Sequence, residues 1–327
     1  PKNVFWENYG CSKTSKIVRR LTTHLVTTLI LVLSLAIILG IKVGQYSSSS
    51  SKESSFRRSS INFLISIVIA GFNISILALL RYITGFEKRK TFSSDQSNQI
   101  VKISIAMFLN SAIVILISSL LASLIQGSSS KDSISLWRLW SNTGTITSIA
   151  SIMLTSLGIH FINPFLYMNW ITLQIKKYFL TYRVKRSTLG NKVLQSDLNE
   201  SYAHVQFDLV DAYSCFFKNL SIAMFYSIAF PFGLLLTMGM MVVHFIASYL
   251  EIIYLRGKVQ NFDFDFTEKM ANFLPFCSLM FAVGFIVLES IAGQGVPGFA
   301  WATFPIEFFV QIAHTVFFFQ NTEQSKI

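Results

Sequence analysis

Stretches of about twenty apolar residues recur along this chain, at 21–43, 61–83, 100–125, 145–173, 213–230, 232–255, 273–291 and 299–319. A helix rises about 1.5 Å per residue, so about 20 such residues cross the roughly 30 Å of hydrocarbon in a bilayer. Eight of them predict an all-α fold, a polytopic transmembrane helix bundle. Composition agrees: 52% of the 327 residues are hydrophobic and 13% are charged, too little charge to solvate a soluble domain. Pro305 and Glu307 interrupt the last stretch, which either spans or is re-entrant. Residues 1–20 form a polar, basic lead-in, 21–319 the transmembrane region and 320–327 a tail. The lead-in lacks the short apolar core and cleavage site of a secretory signal. A chain that opens on proline reads as part of a longer or processed product.

Basic residues gather on the cytoplasmic side of a membrane, which tests the alternation of the spans. With Pro1 inside, only Lys42, Lys52, Arg57, Arg58, Lys131 and Arg138 fall outside, and the other 21 of the 27 Lys and Arg fall inside. Both ends are therefore expected in the cytoplasm, in an integral multi-pass protein, with the plasma membrane favoured. The formal charge of +11 then sets topology and meets anionic lipid rather than nucleic acid. Cys11, Cys215 and Cys277 are far apart and define neither a disulfide pattern nor a zinc site.

Between the spans, the serine run at 47–51 is an outside loop, and 176–211 is the largest cytoplasmic segment. Pro231 interrupts the long apolar stretch at 213–255. Proline removes a backbone donor, so that stretch is a tight hairpin, or else one kinked helix too long for a single crossing.

Polar side chains are costly in hydrocarbon, and their spacing marks the faces hidden from lipid. Asn62, Ser66 and Asn73 share one face of the second span, while Ser104, Ser111 and Ser118 recur every seven residues in the third, beside Asn110. Ser148, Ser151 and Thr155 line the fourth, and Thr23, Thr27 and Ser34 the first. Such faces either line a hydrated path or let helices pack closely through small residues. As a path, its lining is Thr27, Ser34, Asn73, Asn110, Ser111, Ser118, Ser151, Thr155 and Asn163. Gly158 and Pro164 lie close together in the fourth span and favour either a gating hinge or a static kink. Glu289 near the outer end of its span fits snorkelling, and His244 and His314 fit packing.

No phosphate loop, dinucleotide loop, zinc-protease or hydrolase motif is present, so the expectation is no enzyme, no cofactor and no metal. The partners implied are membrane lipids, permeant cations and a second copy or larger membrane assembly.

Three segments carry a family resemblance. The opening Pro-Lys-Asn-Val-Phe-Trp-Glu-Asn-Tyr, Pro1 to Tyr9, resembles the P-x-D-I-x-W-E-N-L segment of the OSCA/TMEM63 family, which leads from a cytosolic domain into the channel helices. The loop Thr-Gly-Phe-Glu-Lys-Arg-Lys, Thr84 to Lys90, is similar to that family's corresponding loop, as is Gln206 to Tyr213 ahead of Phe230 and Pro231. Where the family usually has Gly-Pro-Glu-Phe, this chain has His204, Val205, Gln206 and Phe207. The resemblance implies the last eight helices of a mechanosensitive, cation-permeable channel; the polar faces and the hinge then place the path among the first five spans. The related anoctamins hold calcium on intramembrane carboxylates that the fourth to sixth spans lack at comparable depth. A lipid scramblase and a non-conducting structural subunit are the alternatives.

Overall fold

The computed structural model describes residues 4–47, 55–125, 145–166, 174–175, 177–182, 199, 207–254 and 264–292. Among these residues the chain is helical, with no strand and one isolated antiparallel bridge between Val4 and Thr91. In chain order the helices are α1 (Lys13–Ser47), α2 (Ser55–Thr84), α3 (Phe92–Phe108), α4 (Val114–Ile125), α5 (Thr145–Leu166), α6 (Leu209–Tyr226), α7 (Phe232–Tyr254) and α8 (Phe264–Ala292). A five-residue π-helical turn, Leu109–Ile113, joins α3 to α4.

Among the described residues five helices are long and apolar enough to cross a membrane: Thr14–Gly44, Ser60–Glu87, Phe92–Leu121, Phe232–Ile253 and Phe266–Ser290. The chain is a helical membrane protein. α5 contributes a shorter apolar stretch, Ile146–Ile159, within the described residues. α6 forms where expected but carries Asp211, Lys218 and Asn219, and is not among the five. The apolar stretch at 299–319 lies outside the described residues. α1 starts well before its apolar run, because Lys16, Arg19 and Arg20 are good helix formers and continue the helix into the headgroup zone.

The stretch through Pro231 is two helices. α6 ends at Tyr226, the Phe230 amide donates to the Tyr226 carbonyl at 2.7 Å, and the Gly233 amide restarts the chain on the Phe230 carbonyl at 2.9 Å. Proline supplies no amide, so one continuous helix lacks a rung there.

Contacts divide the chain into two compact units: Pro1–Thr155 with Val210–Met238 and Phe262–Ile327, and Ser156–Leu209 with Gly239–Asn261. The division falls within α5 and within α7. The second unit holds the later turns of both helices, including Gly158, Asn163 and Pro164, through which α5 runs unbroken to Leu166.

The first unit has two apolar clusters. One gathers Ile38, Ile65, Ile69, Ile115, Ile149, Phe225 and Tyr226, from α1, α2, α4, α5 and α6. The other gathers Ile76, Leu80, Ile103, Phe217, Phe273 and Cys277, from α2, α3, α6 and α8. Phe217 and Phe273 meet edge to face with centroids 4.8 Å apart. The apolar window of the α3–α4 helix is 67% buried and that of α1 only 11%, so α3–α4 is central and α1 peripheral. Leu21, Leu25, Leu29, Val32, Leu33 and Ile37 make an exposed stripe down α1, which needs lipid to cover it.

α8 approaches α6 through Gly284. A Cβ at that position would lie 2.0 Å from the Phe225 carbonyl oxygen, which is backbone and has no rotamer to escape into. Gly284→Ala is expected to force the helices apart and destabilise by about 1–3 kcal/mol. A Cβ at Gly158 meets nothing within 4 Å, so Gly158→Ala is expected to leave stability unchanged or raise it by up to about 1 kcal/mol. Thermal unfolding of the detergent-purified variants checks both; equal behaviour of the two would contradict the close approach.

Candidate functional site

A seam of polar contacts runs along the interface of α1, α2 and the α3–α4 helix, in three tiers. α1 supplies Thr23, Ser34 and Lys42, all buried. At 1.5 Å per residue they span about 28 Å, close to the thickness of the hydrocarbon layer.

The middle tier is a chain of four side chains. The Ser34 hydroxyl donates to the Asn110 amide oxygen at 2.5 Å, Asn110 Nδ2 donates to Asn73 Oδ1 at 2.9 Å, and Asn73 Nδ2 donates to the Ser111 hydroxyl at 2.9 Å. Ser34, Asn110 and Ser111 are wholly inaccessible and Asn73 is 7% exposed. Away from water, each amide has its partner in another helix, which is the arrangement hydrocarbon demands. The π turn makes the arrangement possible. Its Val114 amide reaches back five residues to the Leu109 carbonyl, and its consecutive residues Asn110, Ser111 and Ala112 are all buried. The Ala112 carbonyl accepts the Tyr226 hydroxyl at 3.0 Å, tying α6 to the same turn. An extra residue in a helical turn displaces the regular backbone bonds and leaves such carbonyls for side chains.

The tier at the end expected to face the cytoplasm, here the inner tier, centres on Glu87, in the short 3-10 turn Gly85–Glu87 after α2. Its buried carboxylate pairs with Arg89 at 3.2 Å and with Lys102 of α3, with the Thr23 hydroxyl beside it. The lead-in segment docks on this loop. Phe5 N–H donates to the Lys90 carbonyl at 2.8 Å, Asn8 Nδ2 to the Arg89 carbonyl at 2.7 Å, and Arg19 to the Phe86 carbonyl at 2.9 Å. Two segments far apart in the chain, 4–9 and 84–91, thus form one structure.

The outer tier is Lys42. Its ammonium donates to the Ser119 hydroxyl and lies 3.5 Å from the Ile115 carbonyl. Ser34 and Asn110 are 76 residues apart, and Lys42 and Ser119 are 77. An offset that changes by only one residue over eight means that α1 and α3–α4 run parallel, so α2 crosses the membrane in the opposite direction between them.

Other expected lining residues stand apart from this chain of contacts. Ser118 is buried but donates to the Ile115 carbonyl of its own helix at 2.9 Å. Thr27 bonds to the Thr23 carbonyl, Ser151 to Thr147 and Thr155 to Ser151, all half-buried. A hydroxyl satisfied four residues back presents little polarity to a neighbour. Asn163 and Pro164 lie in the helical part of α5, and their side chains are outside the described ones.

Four charged side chains are buried among the described residues, Glu87, Lys42, Lys218 and Glu251, and hydropathy marks none of them. Lys42, expected outside, is buried on the α1 face that carries Ser34 and Ile38 at four-residue steps. That spacing was the available signal. Lys218 in α6 and Glu251 in α7 are likewise buried. No group of three or more His, Cys, Asp or Glu able to hold a metal occurs among the described residues. No protein-family model matches this chain, and no curated protein matches it.

Asn110→Ala and Asn73→Ala each remove a buried partner and are expected to cost about 1–3 kcal/mol. Their double mutant is expected to lose less than the sum, by about 0.6–1.7 kcal/mol as for hydrogen bonds between membrane helices. Additive losses in unfolding experiments would show that the two amides do not interact. Glu87→Gln leaves Arg89 and Lys102 without their counter-charge, and a loss of about 3–5 kcal/mol is expected.

Proposed function

We propose that this chain is the membrane region of an ion-conducting protein of the OSCA/TMEM63 type, mechanically gated and cation-permeable, with its polar seam shut. The reading takes the full set of eight spans with both ends in the cytoplasm. The observation that carries it is the three-tier seam, polar from the Glu87 end to the Lys42 end across the depth of the hydrocarbon. Amides between helices also serve packing, but here polar tiers continue from a buried carboxylate to a buried lysine, groups that hydrocarbon disfavours most. Side chains that satisfy one another when shut are the ones that can receive water when the helices part.

Tension favours the state of larger area in the membrane plane. Peripheral α1 separating from central α3–α4 supplies that expansion, and the path opens along Ser34, Asn73, Asn110 and Ser111. The π turn stores the alternative backbone pairing that such a movement uses. In this reading Gly158 and Pro164 of α5 bend with it, and the boundary between the two compact units falls next to Gly158.

A non-conducting structural subunit is the second reading, and one observation favours it: the seam's middle tier is inaccessible and bonded within itself. A lipid scramblase finds less support, because it needs a polar groove open to acyl chains. The exposed face of α1 is mostly apolar, with Thr22, His24 and Thr28 confined to its first turns.

The test is tension-evoked current from the full chain reconstituted in liposome patches. Asn110→Ala, which weakens the shut state by about 1–2 kcal/mol, is expected to raise the open-to-shut ratio about 5- to 30-fold. Lys42→Gln is expected to increase cation conductance by removing a positive charge from the outer end. Absence of current from the wild-type protein would remove the proposal. Loss of thermal stability in Asn110→Ala without current would then favour the structural subunit, and movement of fluorescent lipid between leaflets would favour the scramblase.

A further inference from the structure

The seam's inner end carries a surface patch that neither gating nor helix packing uses. The lead-in and the loop 84–91 are locked together by the backbone bonds described above, so the side chains they carry form one surface. Trp6 is 66% exposed and Tyr82 72%, with Phe5, Tyr9 and Phe86 exposed around them. Trp6 and Tyr9 are stacked, 5.8 Å between centroids, and Tyr82 meets Phe86 edge to face at 5.2 Å. These rings hold defined positions, and each remains at least 39% exposed.

The cations of the same surface fall into two groups. Arg89 and Lys102 are spent on Glu87, Lys16 donates to the Asn8 carbonyl at 3.2 Å, and Arg19 to Phe86. Arg20 and Lys90 are exposed, and the Lys90 ammonium lies 4.9 Å above the Tyr9 ring. Lys88 has φ 49 and ψ 61, the left-handed conformation that suits glycine, and is the one non-glycine residue with positive φ among the described ones. A lysine kept where its backbone is strained points to use of its side chain. Glu7 is the exposed carboxylate of the lead-in.

The place of this patch along the bundle identifies what covers it. Ile17, Val18 and Leu21, exposed at the start of the lipid-facing stripe of α1, follow directly from the lead-in. Amphipathic rings beside the end of an apolar stripe sit at headgroup level, and exposed cations there meet the phosphates of that leaflet. Water satisfies the cations but not five exposed rings, and an acidic peptide has no reason to lie in the plane of the bilayer.

We propose that Trp6, Tyr9, Lys88, Lys90 and Arg20 form a binding surface for anionic phospholipid headgroups of the leaflet at the Glu87 end. The rings seat in the interface, and the three unspent cations select a net negative headgroup over a zwitterionic one. The seat lies on the loop that holds Glu87, whose carboxylate pairs with Lys102 of α3, so headgroup occupancy bears on the inner tier of the seam. The surface stands independently of whether the chain conducts ions.

The experiment is native mass spectrometry of the detergent-purified full chain, titrated with phosphatidylserine and separately with phosphatidylcholine. The wild type is expected to bind phosphatidylserine more tightly. Arg20→Gln with Lys90→Gln is expected to lower that affinity at least about fivefold and to leave phosphatidylcholine binding unchanged. Lys88→Gly relieves the backbone while removing the charge, so it is expected to keep or raise thermal stability and still weaken phosphatidylserine binding. That combination separates a lipid contact from a structural role. Equal binding of the two lipids by the wild type, or full phosphatidylserine affinity in both variants, would overturn the proposal.

Discussion

Two asparagine side chains buried against each other at the depth of the hydrocarbon govern how this bundle is assembled. An amide there has no water to fall back on, so each unmade bond carries the desolvation cost in full. Asn110 can satisfy its oxygen and nitrogen only when Ser34 of α1 and Asn73 of α2 are both at its level. A slip of any helix by one turn, about 5.4 Å, breaks the chain. Apolar packing alone tolerates such slips more readily, because lipid tails and leucine are equivalent neighbours. The polar chain therefore sets the relative heights of three helices, and the apolar clusters fill in around a register already chosen.

The two ends of the seam solve the same problem with charge. At the inner end Glu87 is buried but has two cations, one from its own loop and one from α3, and the lead-in closes over the loop with backbone bonds. At the outer end Lys42 has a hydroxyl and a nearby carbonyl instead of a carboxylate. An ammonium near the edge of the hydrocarbon tolerates this because its long stem reaches toward water-accessible depth when helices move. The inner end is thus held by several coupled polar contacts, whereas the polar part of the outer end is one lysine set among the apolar contacts of α1 and α4.

The π turn links the seam to the rest of the first unit. One inserted residue buries Asn110, Ser111 and Ala112 together and exposes the Ala112 carbonyl to Tyr226 of α6. Through α6 the turn is coupled to α8, which lies against the Phe225 backbone at Gly284. A change in the backbone pairing of that turn is felt on both sides of it, by amides toward α1 and α2 and by an aromatic hydroxyl toward α6.

Hydropathy by itself determined that the chain is a helical membrane protein, because twenty apolar residues in succession have one stable environment. It placed α1, α2, α7 and α8 to within a few turns, and the proline at 231 placed the break between α6 and α7. The helical period also put Asn73 and Ser34 on hidden faces. It failed for Lys42, counted as a loop charge, since a charge near a span's end reads the same whether it faces water or a neighbouring helix. The π turn left no pattern to read, because an inserted residue shows only as a mismatch between helices that are already packed. Which hydroxyls pair across helices, as at Ser34, and which turn back on their own carbonyls, as at Thr27 and Ser118, was decided by the tertiary structure alone. Both arrangements satisfy the hydroxyl equally well, and only the partner brought alongside by packing chooses between them.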